Sequence, residues 1–153
     1  MPSVNDIFTR LNPLLVAVLR SPFHFLLSGG LGLLTVTGRR TGRRRTFPVG
    51  YQRDGNKIII LASEAHKKQW WRNYRTPAPA TLLVRGKELT GTGLLLEPGG
   101  EEFVRHVELT FRRVPGLAKS WGVAFDRKTG LTEEQIDYLR TAGAAVEIQL
   151  DPS

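Results

Sequence analysis

The stretch Lys57 to Ser63, KIIILAS, restricts the fold of this chain more than any other segment. Three successive isoleucines favour a strand, and side chains in a strand alternate between its two faces. Ile58 and Ile60 therefore share one face, Ile59 and Leu61 the other, and both faces need apolar cover. A strand of that kind belongs in the middle of a closed or doubly covered sheet. Asp54-Gly55-Asn56 immediately before it is a hairpin signal, because a tight turn requires positive φ. Its partner is then Arg45 to Arg53, where Phe47, Val49 and Tyr51 alternate on one face. Leu31 to Thr37 is a further β-rich segment. Ala80 to Arg85 and Glu88 to Leu96 pair across Gly86-Lys87, and Ala145 to Leu150 offers a sixth strand.

Helical spacing surrounds these strands. Val4, Ile7, Phe8, Leu11, Leu14, Leu15, Val18 and Leu19 recur at intervals of three and four, which predicts an N-terminal amphipathic helix interrupted by Pro13. A shorter piece, Phe23 to Leu27, follows Pro22. Lys67 to Arg75 reads as a short helix ending before Pro77 and Pro79. Phe103, Val107, Phe111 and Val114 mark another, with Glu101/Arg105 and Glu108/Arg112 as i,i+4 pairs. Thr132 and Gln135 form a capping box for a last helix, Glu133 to Ala142, with Leu131 and Ile136 as its staple. Meandering strands with appended helices predict one α+β domain over residues 1–153, built on a small antiparallel barrel or half-barrel, with 1–28 as a helical segment beside it.

Composition sets the class of function. At 153 residues, 41% hydrophobic and 24% charged, the chain has the make-up of one globular domain. The absence of cysteine excludes disulfides, thiolate metal sites and cysteine nucleophiles, and suits a reducing cytoplasm. His24, His66 and His106 show no metal-ligand spacing, and no GxSxG nucleophile elbow occurs. The apolar run Ser21 to Gly38 holds Pro22, His24 and four glycines, a poor membrane span.

Charge is unevenly placed. From Arg39 to Lys87 thirteen basic residues face two acids, Asp54 and Glu64, whereas the remainder has nine basic and twelve acidic residues. The middle of the chain is expected to meet an anion. Five of the seven positions from Arg39 to Arg45 are arginine, interleaved with Thr41 and Gly42 between two strands. Guanidinium forks on such a loop match phosphate and carboxylate through paired hydrogen bonds. In "HKKQWWRNYR", His66 to Arg75, cations alternate with aromatics. Such a pattern resembles a single-strand nucleic-acid platform, where bases stack on rings along a basic groove, and equally suits packing on a barrel. Trp70 and Trp71 point about 100° apart on a helix, so at least one packs on the core, while Asn73 shares the face of Trp70. Ser63 ends a strand, a place where ligands are often met.

The stretch "LLTVTGRRTGRRRTFPVGYQRDGNKIIILAS" followed by "WWRN" resembles the deazaflavin-dependent nitroreductase and quinone reductase family, which uses coenzyme F420 on a split β-barrel of the flavin-reductase-like class. The likeness covers Leu33 to Asn73. It implies an oxidoreductase that passes a hydride from F420H2 to a quinone, nitroaromatic or activated alkene, with FMN as the second candidate cofactor. By resemblance, Arg39, Arg40, Thr41 and Arg45 hold the phosphate and glutamate tail, with Pro48 in the following strand. The same resemblance implies that Ser63, Trp70 and Asn73 lie by the deazaflavin ring. The loop between Ser63 and Trp70 is shorter than the family pattern, and Glu64 stands where a cation is usual. That departure resembles a branch associated with fatty acids and membranes, so a lipid-binding or membrane-peripheral role is the alternative function, with nucleic-acid binding third. Tyr51 and Tyr74 are candidates both for proton donation and for the core. The expected location is the cytoplasm, with the inner face of the membrane as the alternative, and by analogy with the class a homodimer is expected.

Overall fold

A computed structural model describes residues 31–38, 41–63, 65–113 and 115–152. The expected N-terminal helical segment, Arg39, Arg40 and Glu64 lie outside them. Six strands form the barrel: β1 (Leu31–Thr37), β2 (Arg44–Asp54), β3 (Lys57–Ser63), β4 (Ala78–Val84), β5 (Lys87–Leu95) and β6 (Gly143–Leu150). They close in the order β1-β2-β3-β6-β5-β4, and every pairing is antiparallel. Outside the barrel are helices α1 (Glu101–Arg113), α2 (Pro115–Ser120) and α3 (Glu133–Ala142). The turn between β4 and β5 falls on Arg85 and Gly86, with Lys87 already in β5.

The triple-isoleucine strand sits as its pattern requires. Ile58 and Ile60 fill the barrel with Leu34, Val36, Val49, Leu82, Val146 and Ile148. Ile59, facing outward, is equally buried. Burying each such side chain is worth about 1.5–3 kcal/mol, so this strand anchors the sheet from both faces. Leu61 and Ala145, on the outer face of β3 and β6, meet Phe103, Val107 and Phe111 of α1 and Leu139 of α3 in a second core. The capping box of α3 is formed as expected: Thr132 Oγ1 accepts from the Gln135 N–H at 3.1 Å, and Gln135 Oε1 accepts from the Thr132 N–H at 3.0 Å. On α1, Arg105 pairs with Glu102 at 2.9 Å instead of Glu101, while Arg112 meets Glu108 at 3.7 Å.

The antiparallel meander has a consequence for where loops go. The ends of β1, β3 and β5 and the beginnings of β2, β4 and β6 all lie at one end of the barrel, here called the mouth. In a ring of six, β3 and β4 stand opposite each other, so the segment joining them must cross that mouth. This crossover is not the single helix expected over Lys67 to Arg75. It forms two 3-10 turns, Ala65–Lys67 and Trp70–Tyr74. A 3-10 turn rises about 2.0 Å per residue against 1.5 Å for an α-helix, which helps a short segment span the opening before Pro77. The crossover seals the barrel with Tyr74, 1% exposed. Room for that ring exists because Gly93 of β5 has no side chain: a Cβ there would lie 2.6 Å from the Tyr74 ring.

Candidate functional site at the barrel mouth

Two sequence features far apart in the chain arrive at the mouth together. The first is the arginine hairpin between β1 and β2. Gly38 and Arg43 close it, the Gly38 N–H donating to the Arg43 carbonyl at 2.8 Å. Gly42 takes φ +68°, a conformation that side chains resist. Thr41 Oγ1 accepts from the Arg43 N–H at 3.2 Å, so its hydroxyl shapes the turn. Arg43, Arg44 and Arg45 are all exposed, and among the described residues no carboxylate pairs with them. The alternation of β2 puts Arg45 on the same face as Phe47 and Val49, which line the barrel interior.

The second feature is the crossover. Trp70 packs on Phe47 with ring centroids 5.5 Å apart and meets Tyr74 edge-on at 6.3 Å. Trp71 rests on Ala62, Ala65 and Ala144, and its Nε1–H donates to the Ala65 carbonyl at 2.9 Å. Residues three apart eclipse in a 3-10 turn, so Asn73 lies on the side of Trp70. The Asn73 amide and the Trp70 indole N–H make no hydrogen bond among the described residues. Half-buried polar groups without protein partners are suited to fixing the edge of a ligand.

Between these features the barrel is open along one seam. β2 and β3 pair only from Tyr51↔Ile60 to Asp54↔Lys57. Toward the mouth, β2 continues to pair with β1 and β3 with β6, but no longer with each other. This explains how Pro48 can sit mid-strand: it pairs with Leu33 on one side and needs no ladder donor on the other. Pro48 lies on the outer face of β2, opposite to Arg45 and Phe47. Ser63 ends β3 at the mouth, half-buried, and strand alternation places it on the outer face with Leu61.

The structure thus brings Thr41, Arg45, Trp70 and Asn73 to one barrel end, with Ser63 and Pro48 flanking the seam on its outer side. Phe47, which packs on Trp70 at this end, was not among the expected site residues, although its place two positions after Arg45 on an alternating strand was a usable signal. Tyr74 belongs to the core. Its hydroxyl donates to the Pro79 carbonyl at 3.1 Å, and burial pushes its pKa up to about 12. A phenol so placed is a poor proton donor to a substrate.

The model of the F420H(2)-dependent quinone reductase family matches residues 24–128, spanning both the hairpin and the crossover. This chain belongs to that family. As a family member it is an oxidoreductase using coenzyme F420. Solved structures agree on the fold. The FAD and heme binding protein from Mycobacterium smegmatis is 19% identical over 86% of this chain and 67% of that one, with a TM-score of 0.55. An F420-H2 dependent reductase, FDR-A, is 20% identical over 78% of this chain and 94% of that one, TM-score 0.54. HutZ, the heme storage protein from Vibrio cholerae, is 13% identical over 85% and 87%, TM-score 0.54.

The residues present fit an F420H(2)-dependent reductase. A tail bearing a phosphate and carboxylates needs cations that no acid has already neutralised, and among the described residues Arg43, Arg44 and Arg45 meet that condition. A flat redox ring needs aromatic and apolar walls with a few polar anchors. Phe47, Trp70 and Asn73 provide both.

Proposed function

We propose that this reductase passes a hydride from F420H2 to a small, flat acceptor, with quinones the first candidates and nitroaromatics or activated alkenes next. The carrying observation is that Phe47, against which half-buried Trp70 packs, shares a strand face at the mouth with Arg45, which has no carboxylate partner among the described residues. When bound, the reduced deazaflavin supplies the hydride, and a proton completes reduction of the acceptor. The chain's own part is positional. Arg43, Arg44 and Arg45 would hold the anionic tail, with Arg39 and Arg40 of the same hairpin assigned by resemblance. Trp70 and Phe47 would wall the ring against water, and Asn73 would fix its polar edge. Tyr74 keeps its proton and does not supply the one the acceptor needs.

The family assignment favours this reading over lipid binding and nucleic-acid binding. The apolar N-terminal segment that motivated the lipid alternative lies outside the described residues, and none of the described helices is long and apolar enough to cross a membrane. Fluorescence titration with oxidised F420, followed by F420H2 oxidation assays against a quinone, a nitroaromatic and an enone, tests the proposal. Saturable binding with quinone-dependent turnover supports it. Binding without turnover on any acceptor defeats the acceptor assignment, and no binding defeats the whole reading.

A further inference from the structure

The crossover carries a second group of cations that the tail site above does not use. The guanidinium carbons of Arg72 and Arg75 lie 5.5 and 5.6 Å from the centroid of the Trp71 ring. The 3-10 turn causes this: residues three apart eclipse, and the Arg75 N–H donates to the Arg72 carbonyl at 3.3 Å. Trp71 is itself fixed, by its hydrogen bond to Ala65 and by packing on Ala62 and Ala144. Both arginines are exposed, and among the described residues neither has a carboxylate partner. Between Asp54 and Glu88 the sequence holds a single acid, Glu64.

Two like charges held against one ring repel each other, and that repulsion is relieved when an anion lies between or across them. A cation over an aromatic face keeps its N–H groups available for a second partner. Because the indole is immobilised, part of the ordering cost of the two long side chains is met before any ligand arrives. The position is continuous with the tail site: Trp70, next in the chain to Trp71, touches Phe47, which shares a strand face with Arg45.

We propose that Arg72 and Arg75, held on Trp71, form a second oxyanion subsite that takes the outlying carboxylates of the coenzyme's oligoglutamate tail. This rests on the F420 reading above and adds to it a preference for long tails. A carboxylate or phosphate on the acceptor would offer the same chemistry, and the experiment separates the two sources.

Wild-type protein, Arg72→Ala/Arg75→Ala, Arg72→Lys/Arg75→Lys and Arg45→Ala would each be titrated with F420 carrying one glutamate and with F420 carrying a long oligoglutamate tail. The Ala/Ala variant should lose about tenfold or more in affinity for the long-tailed form, as expected for lost charge-assisted bonds, and keep its affinity for the short one. Lys/Lys should recover part of the loss, and Arg45→Ala should weaken both forms. Thermal melts check folding, which exposed side chains are not expected to disturb. Equal affinity of Ala/Ala and wild type for the long-tailed form overturns the inference while leaving the F420 reading intact. So does an equal loss for both coenzymes, or a defect seen only in KM for an anionic quinone. Failure of wild type to bind either coenzyme overturns both.

Discussion

Beneath α1, charges of both signs are gathered and matched; at the mouth, among the described residues, cations stand without acids. On the flank, Lys57 Nζ lies 3.1 Å from Glu147, and Glu102 receives Arg105 at 2.9 Å and His106 at 3.6 Å. Nδ/Nε and carboxylate atoms of Glu102, His106 and Glu147 fall within 4.8 Å of one another, but both carboxylates already have a basic partner. That arrangement closes on itself. Arg43, Arg44, Arg45, Arg72 and Arg75 have no carboxylate partner among the described residues. The lesson is that a run of charge becomes informative when its partners are counted: matched groups hold elements together, and unmatched ones on a braced scaffold are the candidates for holding a ligand.

Four substitutions or conditions probe this contrast, from the largest effect down. Phe103→Ala, in the second core between α1 and the sheet, should lower unfolding free energy by about 3–5 kcal/mol in urea denaturation. It would detach the flank and leave the arginine hairpin in place. Arg45→Ala should do the reverse: F420 binding weakens by about 1.5–3 kcal/mol while the denaturation midpoint stays put. An unchanged Kd would locate the tail elsewhere.

The third test is acidity. Burial, reinforced by Arg105, lowers the His106 pKa, partly opposed by Glu102, Glu147 and Asp54. Its folded pKa therefore lies below the unfolded value of about 6.5. The unfolded chain takes up a proton first as pH falls, so stability is full above that value and declines from there down through the folded pKa. Denaturation midpoints between pH 8 and 5 should show this slope, and His106→Gln should flatten it with no effect on coenzyme binding. Last, Lys57→Ala removes a half-exposed pair and should cost no more than about 1 kcal/mol, measured by the same melts. A comparable loss of coenzyme affinity in Lys57→Ala would abolish the distinction between flank and mouth.

Much of this architecture was readable from local pattern. The period-two alternation of Phe47, Val49 and Tyr51, the Asp54-Gly55-Asn56 turn and the Thr132/Gln135 box each act over a few residues, and each formed. Sheet closure was readable only as a need, through the doubly apolar isoleucines. What local pattern lacks is the ring order, and the ring order is what stretches the β3-to-β4 segment across an opening and turns an expected helix into 3-10 turns. The site followed the same division. Arg45, Trp70 and Asn73 carried chemical and family signals. That Trp70 packs on Phe47, two positions from Arg45, or that Arg72 and Arg75 share Trp71, depends on the crossover's geometry. The Gly93 gap that admits Tyr74 is a contact between segments nineteen positions apart, visible in the sequence only as an unexplained glycine in a strand.

The crossover has one more implication. Since Tyr74 stoppers the barrel from the same short turn that presents Trp70 and Asn73, occupancy and integrity cannot vary independently there. Loading with F420 should slow amide exchange across Trp70–Tyr74 more than anywhere on α1, and the melting temperature should climb with ligand concentration. The bung of the vessel is also its latch.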